Sequence, residues 1–300
     1  WDRLEGGWVR TVNLKGDLLD GRKDTYDHAF ALFGLGWFAR ATGDKPSLVL
    51  AEKTLDLVED RLADPVRGGF MEGAERDWTL IAEPRRQNPH MHLFEAFLAL
   101  HAASGNDRYL LHAHRIFDLF RKYFFDHANS CLGEYFDRNW KIHQGPLGAV
   151  TEPGHHFEWV WLLHQYARVS EVEEALDLAD RLFAFAAGKG MDPEHGGPFD
   201  QVDRDGKILL DGKRVWPQTE YLKACAARAE DGMDTDASGR LRKGLAFCAA
   251  RFVDPATGAW REHFSRDGLT LTSPEMPATS VYHIFLGLSE AARVMRKCKV

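Results

Sequence analysis

Cysteine is scarce in this sequence. Four occur in 300 residues, Cys131, Cys225, Cys248 and Cys298, and none forms a CxxC pair. The usual signatures of a secreted disulfide framework and of a structural zinc site are therefore missing. The four are expected to be packing residues of a reduced, cytoplasmic protein. Positive charge is also in deficit: 38 Lys and Arg face 45 Asp and Glu, a formal charge of −7. Without a basic excess there is nothing to displace counterions from phosphates, so no nucleic-acid partner is expected. No apolar run approaches the ~18 residues of a membrane span, so no membrane partner is expected either. Charged Asp2-Arg3 followed by Gly6-Gly7 does not read as a signal peptide. No Gly-rich phosphate loop and no Ser-centred nucleophile elbow is visible.

What the sequence has in quantity is aromatic and patterned. Nineteen Phe, nine Trp and seven Tyr, with 44% hydrophobic and 28% charged residues, describe a globular chain with a sizeable core. Asp-Pro occurs at Asp64, Asp192 and Asp254, and Asp126 stands at the intermediate place, giving steps of 62, 66 and 62 residues. Each is followed by a glycine-bearing turn and an aromatic: Gly68-Gly69-Phe70, Gly133-Glu134-Tyr135, Gly196-Gly197-Pro198-Phe199 and Gly258-Ala259-Trp260. Gly6-Gly7-Trp8 opens the series one period earlier. Such a repeat organises the whole chain.

Between the loops lie pairs of helical patterns. Residues 26–42 and 46–62, 89–103 and 108–125, 155–169 and 172–187, 217–230 and 240–252 make four pairs, and 281–297 a ninth, unpaired helix. Short Gly/Asn/Asp breaks imply antiparallel hairpins. First members such as Phe30 to Leu35 are apolar nearly all round and are expected to be buried on all sides, whereas second members are amphipathic. Inner helices ringed by outer ones describe an all-α fold, an (α/α)6 toroid or barrel. Stretches such as 133–140 and 198–206 are expected to form short β-hairpins capping one end. Residues 1–300 are read as a single domain of this kind.

The inner helices open with polar clusters: Tyr26-Asp27-His28, Asn88-Pro89-His90-Met91-His92, His155-His156-Phe157-Glu158 and Trp216-Pro217-Gln218-Thr219-Glu220, with Tyr282-His283 on the ninth helix. At the repeat spacing, His28, His92 and His155 superpose, as do Glu95, Glu158, Glu220 and His283. Equivalent places on a ring of helices face a common axis, so these groups are expected to converge on one cavity. Helix N-termini there favour oxygen-rich or transiently anionic ligands, and aromatics beside polar groups suit a sugar. Two imidazoles on one cavity can act as acid and base near neutral pH, with a carboxylate one turn away to orient a hydroxyl. That is the equipment for moving a proton beside a carbonyl through an enediol. Each residue also has a plainer role open to it: a lone His at a helix start caps the helix, Glu95 bonds within the core, and Trp216 packs. His90 and His156 read as neighbours supporting better candidates. The His-x-x-Glu pairs at 92/95 and 155/158 resemble reversed di-iron ligands, but no further ligand set accompanies them, and no metal or cofactor is expected.

The stretches Gln87–Ala96, Glu152–Leu163, Trp216–Glu220 and Pro277–His283, above all the Pro-Gly-His-x-x-Glu-Trp element at 153–159, resemble the N-acylglucosamine 2-epimerase family, most closely its mannose isomerase branch. The resemblance runs from about Gly6 onward. It implies an α/α barrel of six inner and six outer helices and metal-independent sugar isomerisation or epimerisation. Residue by residue, it implies that His155 and His283 are the acid/base pair and that Asn88, His92 and Glu158 hold sugar hydroxyls. Trp216 would stack on the sugar, and Tyr26 and Glu220 would stand at the cavity wall. Nine helices against twelve leave the first three, with an arginine that polarises the substrate carbonyl, outside this sequence. A chain truly beginning at Trp1 is expected to aggregate or be inactive.

The resulting expectation is an isomerase for an unphosphorylated hexose of the mannose/fructose type, a monomer or homodimer whose partner is a monosaccharide. A 2-epimerase of an N-acylhexosamine or a cellobiose-type sugar is the alternative. More distant are a glycoside hydrolase using Glu158 and Glu220 and an inactive sugar-binding scaffold.

Overall fold

The computed structural model describes residues 1–82, 84–232, 234–273 and 275–298, with Cys298 described by its backbone alone. Contacts divide the chain into two compact units, residues 1–125 with 133–148, and residues 126–132 with 149 onward. Helices follow the breaks seen in the sequence. They are α1 (Thr25–Thr42), α2 (Lys45–Leu62), α3 (Gln87–Ser104), α4 (Asp107–Leu119), a single turn α5 (Pro146–Ala149), α6 (Pro153–Ser170), α7 (Glu174–Lys189), α8 (Val215–Glu230), α9 (Ala237–Phe252) and α10 (Ala278–Cys298). Local chemistry sets their ends. Asp24, Asp44 and Asn106 accept backbone N–H groups at the starts of α1, α2 and α4, and left-handed Gly43 and Gly105 close α1 and α3. The pattern expected to run to Phe125 widens into a π-helical turn over Phe120–Phe124.

In the first unit, α1 and α3 pack side by side, with α2 on α1 and α4 on α3. In the second, α8 lies between α6 and α10, with α7 on α6 and α9 on α8. The inner helices α3, α6 and α8 are buried almost all round near their starts, as expected, and α6 has no exposed residue from Pro153 to His164. Helix α1 departs from the expectation. Only a stripe of Thr25, His28, Ala29, Leu32, Gly36 and Ala39 is buried, and Trp37 and Phe38 are exposed. Within its unit α1 has only α2 and α3 as helical neighbours, too few to cover an apolar surface that runs all round.

Among the described residues, sheet structure is confined to short two-stranded pairs and one three-stranded sheet, in which His263–Phe264 lies between Lys213–Arg214 and Leu271–Ser273. Gln201–Val202 and Ile208–Leu210 form the expected hairpin. In the 133–140 region a tight turn from Asp137 to Lys141 closes the hairpin, but Tyr135–Phe136 also pairs with Arg85–Arg86, directly before α3. The same pairing joins Lys23–Asp24 to Gly73–Ala74 and Lys213–Arg214 to His263–Phe264, so a strand anchors the entry to α1, α3 and α8 alike.

The Asp loops repeat in atomic detail. Asp2, Asp64, Asp126, Asp192 and Asp254 each accept backbone N–H groups two or three residues on. Cations close several of them: buried Lys23 and exposed Arg76 on Asp2, buried Arg85 on Asp64, and buried Lys213 with half-buried Arg266 on Asp192. Cys131, Cys225 and Cys248 are buried thiols, as expected, and burial pushes Cys225 and Cys248 up to about 12. The side chain of Cys298 lies outside the described residues. Among the described residues no helix is long and apolar enough to cross a membrane.

Candidate active site

Counting from the first residue of each inner helix separates structural places from chemical ones. The fourth place holds His28, His90, His156 and Gln218. Each imidazole Nδ1 faces the carbonyl four residues back, Asp24, Arg86 or Glu152, at 2.7–2.9 Å. Each Nε2 accepts a loop N–H, from Trp8 at 3.1 Å, Phe70 at 2.9 Å or Leu132 at 3.0 Å. With both ring nitrogens engaged, these histidines tie loop to helix in the neutral form. Burial holds His28 down at about 4 and His90 at about 3. His28 therefore belongs with His90 and His156, and its expected superposition on His92 and His155 is corrected. The partner of Glu158 on α3 is likewise His92, not Glu95. Four residues added between Asp126 and His156 shift the spacing.

The sixth place carries the chemistry. In the second unit it holds Glu158 on α6, Glu220 on α8 and His283 on α10, and one ligand-type atom from each lies within 4.8 Å of the others. His283 Nδ1 donates to Glu220 Oε1 at 2.7 Å, while Lys223, one turn on, brings its ammonium to 2.9 Å from Oε2. Glu220 and Lys223 are fully buried. Tyr282 donates its hydroxyl to Glu158 at 3.4 Å. Two carboxylates and an imidazole could in principle surround a cation. Here the ammonium of Lys223 already supplies positive charge to Glu220, so the donor set suits holding protons.

Trp216, at the second place of α8, joins the two histidines. Its ring centroid lies 5.0 Å from that of His155 and 5.3 Å from that of His283, tilted 38° and 37°. Gly154 makes this possible: a Cβ there would stand 2.4 Å from the indole. Arg214 lies 5.2 Å over the same ring, held by Glu152 and Asp200. His155 Nδ1 is 3.8 Å from Glu152 Oε2. His155 and His283 are both more than nine-tenths buried.

In the first unit, His92 occupies the sixth place of α3. Its ring lies 4.6 Å from Phe30, at the sixth place of α1, and 4.9 Å from Tyr26 at the second. Glu95 approaches its Nδ1 at 3.6 Å. Asn88, at the second place of α3, is half-buried. Asp27, beside Tyr26, was not singled out from the sequence, yet burial pushes its carboxyl up to about 6. Lys223 was missed as well. Its signal was there: a lysine three residues after Glu220 on a helix otherwise too apolar to carry one.

Comparison with known proteins places the chain among sugar isomerases and epimerases. A mannose-6-phosphate isomerase of Rhizobium meliloti (strain 1021) is 31% identical over 97% of this chain and 76% of its own length. A D-mannose isomerase of Thermobifida fusca is 27% identical over 95% and 73%. The structure of a cellobiose 2-epimerase from Spirochaeta thermophila DSM 6192 superposes with a TM-score of 0.89 at 24% identity, covering all of this chain and 77% of that one, so the two share the (α/α)6 fold. The family model of N-acylglucosamine 2-epimerase matches residues 1–287. The chain is an enzyme of sugar isomerisation or epimerisation and belongs to the N-acylglucosamine 2-epimerase family.

Proposed function

We propose that this enzyme interconverts mannose and fructose, unphosphorylated, by proton transfer through a cis-enediol, with His283 as the main proton carrier and His155 assisting. One observation carries the reading: two imidazoles lie against the same indole, and one of them has its Nδ1 proton fixed on a buried carboxylate. With Nδ1–H committed to Glu220, the Nε2 lone pair of His283 is the basic position. It takes the C2 proton of the open-chain aldose as O1 gains a proton, which gives the enediol. The same nitrogen then returns the proton to C1 while O2 loses its own, leaving the ketose. No co-reactant is consumed. His155 assists ring opening and relays the oxygen-bound proton, Trp216 stacks on the sugar, and Glu158 takes a hydroxyl. From the family resemblance we assign Asn88 and His92 to sugar hydroxyls, with Tyr26 and Glu220 at the wall. The family model runs unbroken over residues 1–287, which supports reading both units as one domain. The same reading gives a cytoplasmic monomer or homodimer, which light scattering on the purified protein decides.

A glycoside hydrolase would need Glu158 and Glu220 free to act on either side of a glycosidic bond. Glu220 is instead engaged on both oxygens. Epimerisation at C2 is the second reading, supported by sequence similarity to a cellobiose 2-epimerase, 29% identical over 72% of this chain. Incubation with mannose in deuterium oxide, followed by NMR, separates the two. Fructose labelled at C1 supports isomerisation; glucose labelled at C2 and no fructose supports epimerisation. His283→Ala and His155→Ala are each expected to lower kcat by ~1,000-fold with the fold unchanged by circular dichroism. Substantial turnover in both variants overturns the reading.

A further inference from the structure

We propose that Lys223 is a positioning residue, whose buried ammonium on Glu220 keeps His283 from being trapped as an imidazolium and so leaves its Nε2 basic near neutral pH. This rests on the reading of His283 as the proton carrier. A buried carboxylate 2.7 Å from an imidazole nitrogen, with nothing else to balance it, favours the charged ring. A ring held as imidazolium cannot accept a proton from carbon. Lys223 places a second cation on the same carboxylate, its Nζ 2.9 Å from Oε2 and donating to Oε1 at 3.3 Å, and shares its charge.

The lysine has no ordinary reason to be there. It is fully buried on an inner helix, where an unpaired ammonium is costly and an apolar residue would pack. Its Nζ lies 4.3 Å from the centroid of Trp161 and 5.6 Å from that of Tyr282, the residue next to His283. Two aromatic faces and Glu220 therefore fix the ammonium in place. The ionisable groups facing His283 come from every element around it. Glu220 and Lys223 lie on α8, Glu158 with its ligand-type oxygen within 4.8 Å lies on α6, Tyr282 is its neighbour on α10, and Glu262 precedes α10. His155 and Arg214 lie across Trp216. Lysine is thus the cation set directly against the carboxylate that holds His283.

The test is the protonation of His283 itself. The full chain is labelled with 15N-histidine, the His283 resonance is assigned by its absence in His283→Ala, and the ring is titrated by NMR in wild type, Lys223→Met and Lys223→Gln. Both neutral variants are expected to raise the midpoint by about one pH unit, a tenfold change in the protonation equilibrium. The acid limb of kcat/KM against pH is expected to move by the same amount, and Lys223→Arg to restore it. If the resonance titrates at the wild-type pH in both neutral variants, the proposal fails, and it fails equally if turnover drops by one factor at every pH with no movement of the limb. The NMR titration needs no turnover. A failure of this proposal is therefore distinguishable from a failure of the catalytic reading, which His283→Ala tests alone. Should Lys223→Met not fold, Lys223→Gln keeps a donor for Glu220 without the charge and carries the same test.

Discussion

A histidine with both ring nitrogens committed cannot move a proton, and this separates His28, His90 and His156 from their chemically active neighbours. Their shared bonding also explains the exception. At the place of Trp8, Phe70 and Leu132, the fourth loop has Pro198, which has no N–H to give. There the helix carries Gln218 instead of histidine, and its amide donates to the Pro198 carbonyl at 3.2 Å and to the Arg214 carbonyl at 3.1 Å. Loop and helix residues are matched. Gln218→His alone should leave a buried nitrogen without a donor and cost about 2 kcal/mol in urea unfolding. Adding Pro198→Phe should recover most of that loss. Additive effects of the two changes would show that the match is accidental. The sequence sets His90 and His156 apart as supporting neighbours of His92 and His155, but it misplaces His28 among the chemical residues, because one-letter spacing does not distinguish a ring with two backbone partners from a ring facing a carboxylate.

At the scale of elements, the helices were legible because their breaks are chemical: Gly43-Asp44 and Gly105-Asn106 combine a left-handed closure with a capping side chain. Two things were not legible. The exposure of Trp37 and Phe38 depends on how many neighbours α1 has, which composition does not record. The pairing of inner helices was misread by one to three residues because the repeat step is not constant, and an even step aligns His92 with His155. Placement of Trp216 depends on a similarly hidden detail, the absent side chain of Gly154. Gly154→Ala should push the indole away from His155 and His283 and lower kcat/KM by ~10–100-fold, with a smaller effect on Tm. Unchanged kcat/KM with a folded protein would show that the indole's position does not matter. Gly69 is a purely structural counterpart: its φ is +72°, and a Cβ would stand 2.7 Å from Trp140 and 2.8 Å from His90. Gly69→Ala should cost several kcal/mol in thermal unfolding with little effect on the chemistry of any survivor.

Across the whole molecule, the same loops make stability sensitive to acid, with a sign that follows from the shifts. His28 and His90 hold protons less tightly when folded, about 4 and about 3, than the ~6.5 of the unfolded chain. Their contribution is fully present above pH 6.5 and is lost as pH falls from there through about 4 and 3, because the unfolded chain then binds more protons. Asp2 and Asp192 are also held low, Asp2 mainly by Arg76; at Asp192 burial pushes upward and is outweighed only jointly by Arg266, the backbone N–H groups of Glu194 and His195, and Lys213. Their share is present above the ordinary aspartate range and is lost only in stronger acid. Calorimetric Tm should therefore be flat above pH 7, fall below pH 6.5 and steepen below pH 4. In His90→Gln the first fall should be shallower. A Tm independent of pH between 7 and 4 would contradict the burial of these rings as neutral species.

The sixth place of the inner helices has one further consequence. Phe30, His92, Glu158, Glu220 and His283, an apolar ring, two imidazoles and two acids, stand at equivalent places, or sockets, and on α1, α3, α6 and α8 that place lies two residues past the pin that fastens the helix to its loop. Reagent and fastener are thus separate letters in those four repeats. A library that randomises only the sockets should return many folded proteins with altered chemistry, while one that randomises only the pins should return few folded proteins at all. Such a division lets a lineage exchange one sugar reaction for another without first learning to fold again.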